Sequence, residues 1–298
     1  MAALFLGRPV FPVPVVRSLM KWCPLFGVAS LFFGGMAPAV LAQECGAADK
    51  PCEVAGGTYH LALPEEPMGA PVAVFLHGYG GTGKGAVRNA RSAARYTNRG
   101  YALIAPTGQR DPEGKFRNDW GIDDGFQMPR DDVAFLNSVI DDAVTRHGLD
   151  RSRVIVMGFS RGGSMVWDLA CAAPETATAY AAAAGGFWEP IQQDCAGPVH
   201  LYHTHGFNDG QVPLEGRTVT FNGVTFTQGN ILKGLDTWRR ENGCEGRAQN
   251  STEGDWIKRW PDCAAGSITL RLTTGGHGLP RNWAMDMLDW FEAVTATD

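Results

Sequence analysis

Three residues far apart in the chain have the types needed for covalent acyl transfer: Ser160, Asp209 and His277. Ser160 lies in Gly158-Phe159-Ser160-Arg161-Gly162, inside the stretch VIVMGFSRGGSM. Gly-x-Ser-x-Gly between a strand and a helix sets a serine hydroxyl on a sharp turn above a sheet. Glycines 158 and 162 are expected to let the chain turn, and the N-terminus of the following helix favours negative charge beside the hydroxyl. A serine hydroxyl is a weak nucleophile until a base takes its proton, and the base needs an acid to hold its ring. His277, in TTGGHGLP, follows the last strand-like run and precedes the last helical one, so a glycine-rich loop carries the imidazole. His147 sits at a helix end, and His200 and His203 lie inside a strand-like run and read as packed residues. Asp209, in HLYHTHGFNDGQVP, falls on a loop between the serine and the histidine. Asp194 is a weaker candidate for the acid, and Asp236 falls on a helix face.

The tetrahedral intermediate of acyl transfer needs hydrogen-bond donors for its oxyanion. The backbone N–H of Arg161 is one. The loop HGYGG (77–81) supplies another, with Tyr79 the expected donor and His77 the residue that orients the loop. Gly78 to Gly85 also nearly spells the phosphate-binding Gly-x-x-x-x-Gly-Lys-[Ser/Thr], but position 85 is glycine and has no hydroxyl for Mg²⁺. Nucleotide binding is therefore set aside. His77, Trp120 and Trp188 are candidate substrate contacts. Trp120, in FRNDWGIDD, either lines a cleft or anchors its own loop through the indole, and Trp188 can reach the mouth of the site. No metal or cofactor is required by this chemistry.

The elements that must position these residues alternate along the chain. Strand-like apolar runs fall at 71–78, 98–108, 152–159, 179–187, 198–206 and 267–276. Helical periodicity falls at 131–148, 161–171, 229–243 and 283–295. The helix at 131–148 starts with acids and ends Arg146-His147-Gly148, which matches the helix dipole and a glycine cap. Buried strands alternating with helices imply an α/β fold with a mostly parallel sheet and helices on both faces. No linker or repeat divides residues 43–298, so one catalytic domain is expected.

The chain has 298 residues and a net charge of −5, with no basic run to bind nucleic acid. Residues 23–42 are almost wholly apolar, follow Arg8, Arg17 and Lys21, and end Val40-Leu41-Ala42. This reads as a signal peptide over 1–42, with Met20 an alternative start, and a membrane anchor as the rival reading. The expected location is outside the cytoplasm, in periplasm or medium, without membrane association after cleavage. Six further cysteines, 45, 52, 171, 195, 244 and 263, suit an exported chain with disulfides. They allow about 15 pairings, and the sequential set 45–52, 171–195 and 244–263 is the working expectation.

The motifs PVAVFLHGYGGTG, NDWG, DDVAFLNSVI, VIVMGFSRGGSM, LYHTHGFNDGQVP, TWRRENGC and GGHGLP, together, resemble the secreted polyhydroxybutyrate depolymerase and feruloyl esterase group of α/β-hydrolases. The resemblance runs from about Tyr59 to Phe291. It implies the α/β-hydrolase fold, serine esterase activity, Ser160 as nucleophile, Asp209 as acid and His277 as base. The 244–263 cysteine pair also fits that family. The chain departs from it in carrying Arg161 where Asn or Ala is usual, and Leu279-Pro280 where a tryptophan is familiar. The expected substrates are esters of hydroxybutyrate, feruloyl or short-chain acyl type. A serine peptidase or other acyl hydrolase on the same residues is the alternative, and a non-catalytic binding module on this scaffold is the reading from another class.

Overall fold

The structure is a computed structural model that describes residues 45–252, 254–260 and 262–296. The signal peptide expected over 1–42 lies outside the described residues. The chain runs β1 Cys52–Val54, β2 Gly57–Ala62, β3 Val72–Leu76, α1 Gly83–Arg88, α2 Ala90–Thr97, β4 Ala102–Pro106, α3 Asp132–His147, β5 Val154–Phe159 and α4 Arg161–Ala172. It continues β6 Ala179–Ala183, β7 His200–Gly206, β8 Arg217–Phe221, β9 Val224–Gln228, α5 Ile231–Glu241, β10 Gln249–Ser251, β11 Trp256–Trp260, β12 Ser267–Thr273 and α6 Trp283–Thr295.

Ten strands form one sheet in the order β1-β2-β4-β3-β5-β6-β7-β12-β11-β10. The central pairs from β4 to β12 are all parallel. Antiparallel strands close both sides. The central strands are the apolar runs of the sequence, and alternate residues face opposite layers. Val72, Val74, Val154 and Val156 join one buried cluster with α3, α4 and α5, whereas Ala73, Ile155 and Met157 join another with α2 and α6. The α/β architecture with helices on both faces is thus built by period-two burial inside continuous apolar strands.

Helix boundaries follow local chemistry. Asp131 caps α3 by accepting from the Ala134 N–H, and Gly148 ends it at φ 63°. Asn230 caps α5 in the same way through Lys233. Gly83 opens α1 for a different reason: a Cβ there would sit 1.9 Å from the Ala105 carbonyl oxygen on β4. That glycine of the phosphate-loop-like stretch is a packing residue.

The structure contains Cys45–Cys52, Cys171–Cys195 and Cys244–Cys263 disulfides. The second fixes the end of α4 to the loop before β7. The third fixes the segment after α5 to the one before β12. Loops of 24 and 19 residues place each bridge in the range of about 2–4 kcal/mol of stabilisation.

Gly83→Ala should destabilise the fold by about 1–3 kcal/mol, since the new methyl must displace a strand carbonyl rather than a movable side chain. Urea unfolding of the variant against wild type measures this, and an unchanged midpoint would contradict the packing assignment.

Candidate active site

Ser160 occupies the single residue between β5 and α4. Its φ of 57° and ψ of −122° lie in a region that non-glycine residues rarely adopt. Such a backbone costs about 1–3 kcal/mol and persists only where the surroundings enforce it. Here they do. The Ser160 N–H donates to the Ala183 carbonyl at 2.8 Å, and the Ser164 N–H donates to the Ser160 carbonyl at 3.0 Å. The neighbouring glycines act differently from the sequence expectation. Neither Gly158 nor Gly162 has a positive φ. A Cβ at Gly158 would stand 2.2 Å from the Gly162 oxygen, and one at Gly162 would stand 2.1 Å from the Leu76 oxygen. The serine makes the turn, and the glycines let three backbone segments touch around it.

Asp209 and His277 meet because their strands are neighbours. β7 and β12 pair in parallel through Gly206 and Thr273, so the loops that follow leave the sheet side by side. Those loops are then knit together. Phe207 N–H donates to Thr273 O at 2.8 Å, Asn208 N–H to Gly275 O at 3.0 Å, and the Asn208 side-chain amide to Thr274 O at 2.9 Å. His277 Nδ1 lies 2.8 Å from Asp209 Oδ2, and His277 Nε2 lies 2.9 Å from Ser160 Oγ. With a carboxylate as its partner, Nδ1 carries the proton, leaving Nε2 to accept from the serine hydroxyl. The other Asp209 oxygen accepts the N–H groups of Gln211 and Val212 at 2.9 and 2.8 Å.

Two more histidines stand under Asp209. His205 Nε2 donates to the Val212 carbonyl at 2.7 Å and is 3.6 Å from Asp209 Oδ2. Its Nδ1 must then accept from His203 Nε2, 3.0 Å away. Burial lowers the pKa of both, His203 most, so the pair supports the acid as neutral rings.

The loop after β3 faces Ser160: a Cβ on Gly78 would lie 3.3 Å from the serine Cβ. His77 is buried behind this loop. Its Nε2 accepts the Gly108 N–H at 2.9 Å, so Nδ1 donates to the Gly78 carbonyl at 2.8 Å. Trp120 Nε1 donates to the His77 carbonyl at 2.8 Å, and Asn118 exchanges bonds with Gly80 and Gly81. Among the described residues, the N–H groups of Tyr79 and Arg161 donate to no backbone or side-chain acceptor. His77 and Trp120 are 5% and 0% exposed and do not reach the cavity, so the structure corrects both as substrate contacts. They brace the loop from below. Trp188 does line the cavity, its Nε1 donating to Ser164 Oγ at 3.1 Å.

That cavity, about 320 Å³, contains Ser160 and His277. One wall is aromatic, with Phe116, Phe126, Phe221 and Phe226. Phe221 and Phe226 belong to the β8–β9 hairpin, which pairs only with itself as a sheet and turns at Asn222 and Gly223, both at positive φ. Asn-Gly between alternating apolar residues is the strongest short hairpin signal in a sequence, and RTVTFNGVTFTQ carries it. Arg161 is the other unforeseen feature. Its guanidinium bonds Asp119 and Asp124, each at 2.8 Å, and the Trp120 carbonyl at 3.2 Å. It also lies 4.9 Å from the Trp188 ring centroid. Burial opposes the Arg161 charge, but the two carboxylates outweigh it and raise the pKa further. The side chain is anchored in the cavity wall rather than free beside the serine.

Burial, helped by the Arg130 charge and opposed by the Gly78 carbonyl bond, lowers the His77 pKa from 6.5 to about 4. The unfolded chain takes up a proton near 6.5, whereas the folded chain resists it until about 4. Stability should therefore fall as pH drops through that window. Urea midpoints at about pH 7.5 and about pH 5 test this. His77→Gln should be less stable at the higher pH yet lose less on acidification. An equal loss in both proteins would contradict the neutral-ring assignment.

The family described as phospholipase/carboxylesterase matches residues 62–223, more than half of the chain. Feruloyl esterase C of Emericella nidulans is 28% identical over 127 residues, which are 42% of this chain and 45% of that protein. Feruloyl esterase B of Piromyces equi is 24% identical over 228 residues, 70% of this chain and 39% of that protein. The chain thus spans less than half the length of these curated relatives. Among solved structures, an acetyl xylan esterase from Aspergillus awamori superposes with a TM-score of 0.60 at 15% identity, covering 80% of this chain and 94% of the other. At that identity the likeness concerns the fold. By its matched residues, and by a parallel sheet with a serine at the strand–helix turn, the chain belongs to the phospholipase/carboxylesterase family of α/β-hydrolases.

Proposed function

We propose that the protein is a serine carboxylic ester hydrolase in which Ser160 is the nucleophile, His277 the general base and Asp209 the orienting acid. The observation that carries this reading is the unbroken hydrogen-bonded line from Asp209 through His277 to Ser160 Oγ. Ser160 Oγ attacks the ester carbonyl carbon as His277 Nε2 takes its proton. The oxyanion then receives the unused N–H groups of Tyr79 and Arg161. Collapse breaks the ester C–O bond, His277 protonates the departing alcohol, and an acyl-Ser160 ester remains. Water, deprotonated by the same ring, releases the acid and restores the serine.

The aromatic wall supports an ester with an apolar or aromatic group, and the two feruloyl esterases among the relatives point the same way. Three disulfides and the apolar stretch 23–42 support an exported protein with the leader removed after Ala42. Among the described residues no helix is long and apolar enough to cross a membrane.

Ser160→Ala should lower kcat on p-nitrophenyl butyrate by at least ~10⁴ while the circular dichroism spectrum and unfolding midpoint hold. A fluorophosphonate should label wild type at Ser160 and leave the variant unlabelled. Near wild-type turnover by the variant would overturn the assignment.

A further inference from the structure

A second, solvent-exposed arginine lines the cavity, and it differs from the first. Arg161 is neutralised by Asp119 and Asp124. Arg217, at the start of β8, lines the same cavity, yet no carboxylate pairs with it among the described residues. Neutral acceptors hold it in place. Its Nε donates to Gln228 Oε1 at 3.2 Å, and its Nη2 donates to the Gln211 carbonyl at 2.7 Å.

Those contacts also fix where the charge sits. Gln228 pairs through its backbone with Trp188, whose ring lies beside Arg161. Gln211 follows Asp209 by two residues, and its N–H bonds the Asp209 carboxylate. Arg217 is therefore tethered at both ends to residues of the site. The cavity is polarised as a result: Asp119 and Asp124 leave one surplus negative charge around Arg161, and Arg217 puts an unpaired positive charge on the hairpin side. The aromatic wall lines the same cavity.

We infer that Arg217 is a specificity-determining residue that receives an anionic group, a carboxylate, on an ester whose remaining part is apolar. This rests on Ser160 being the nucleophile of an esterase. The guanidinium has five N–H donors, and its two protein bonds to Gln228 and Gln211 leave Nη1 available. A carboxylate there gains a charge-assisted hydrogen bond without displacing any protein anion. The hydroxyl attack and proton transfers at Ser160 and His277 are unchanged.

The test compares two esters of equal chain length, mono-p-nitrophenyl adipate and p-nitrophenyl hexanoate. Arg217→Gln should lower the ratio of kcat/KM for the anionic over the neutral ester about tenfold, mainly through KM for the adipate. Arg217→Lys should recover part of the ratio, as a point charge without the fork. In wild type, raising the salt concentration should lower the ratio, because a partly exposed charge pair is screened. This measurement needs no variant to fold. A ratio unmoved by Arg217→Gln and by salt would overturn the role of Arg217 while leaving the esterase reading intact. Failure of wild type to cleave either ester would overturn the esterase reading itself, and the role of Arg217 with it.

Discussion

The site depends on one constraint: three stretches of backbone meet around Ser160 at distances that no side chain could share. The end of β3 presses on Gly162, the start of α4 presses on Gly158, and the turn after β6 brings Gly185 to where a Cβ would lie 2.1 Å from the Ser160 carbonyl oxygen. These contacts, with the Ala183 hydrogen bond, hold the serine in a conformation it would not choose. The strain sits at the single residue between β5 and α4, and the packed backbone around it fixes the hydroxyl in place. His277 and Asp209 then need only be delivered to a fixed point. The in-register pairing of β7 with β12 delivers them.

Beside this point a guanidinium and two carboxylates are buried and paired with one another. Taking a guanidinium and two carboxylates out of water is costly, and such clusters are weak sources of net stability. Arg161, Asp119 and Asp124 instead tie the helix that follows the serine to the 119–124 loop. That loop also supplies Trp120 to the underside of the β3 loop. One cluster thus connects the two backbone segments whose N–H groups flank the serine, and loosening it would move both.

Much of this was legible in the chain. Six parallel strands announce themselves as apolar runs, and Ser160, Asp209 and His277 stand in an order and context that few folds reproduce. The α/β-hydrolase architecture follows from the same pattern. Other parts were hidden for identifiable reasons. Glycine permits both sharp turns and close approach, and the local pattern suits either, whereas at Gly158 and Gly162 close approach is what the fold uses. The partners of Arg161 are about 40 residues away, beyond any local periodicity. His77 and Trp120 have side chains suited to binding, but their hydrogen bonds face inward. The edge strands β1 and β10 have three residues each, and β11 carries Lys258-Arg259 at its centre, so none of the three shows a buried run. The Asn222-Gly223 turn is a local signal, but the short strands beside it, one largely exposed, carry no continuous apolar run.

The β8–β9 hairpin has a consequence for how such a cavity can change. Its two strands pair with each other, and threonine pairs 218–227 and 220–225 bond across its exposed face. It meets the body through the Trp188–Gln228 bridge, Arg217 to Gln211, Asn222 to the Lys115 carbonyl, and the packing of Phe221 and Phe226 on Tyr79, Phe116, Phe126 and Trp188. The hairpin is therefore a separate two-stranded sheet whose inner phenylalanines line the cavity. None of the close backbone contacts around Ser160 involves a hairpin residue, and Phe221 touches the β3 loop through its ring contact with Tyr79 at 5.8 Å. The fold thus places much of the cavity lining on one element and the backbone that holds the serine on others.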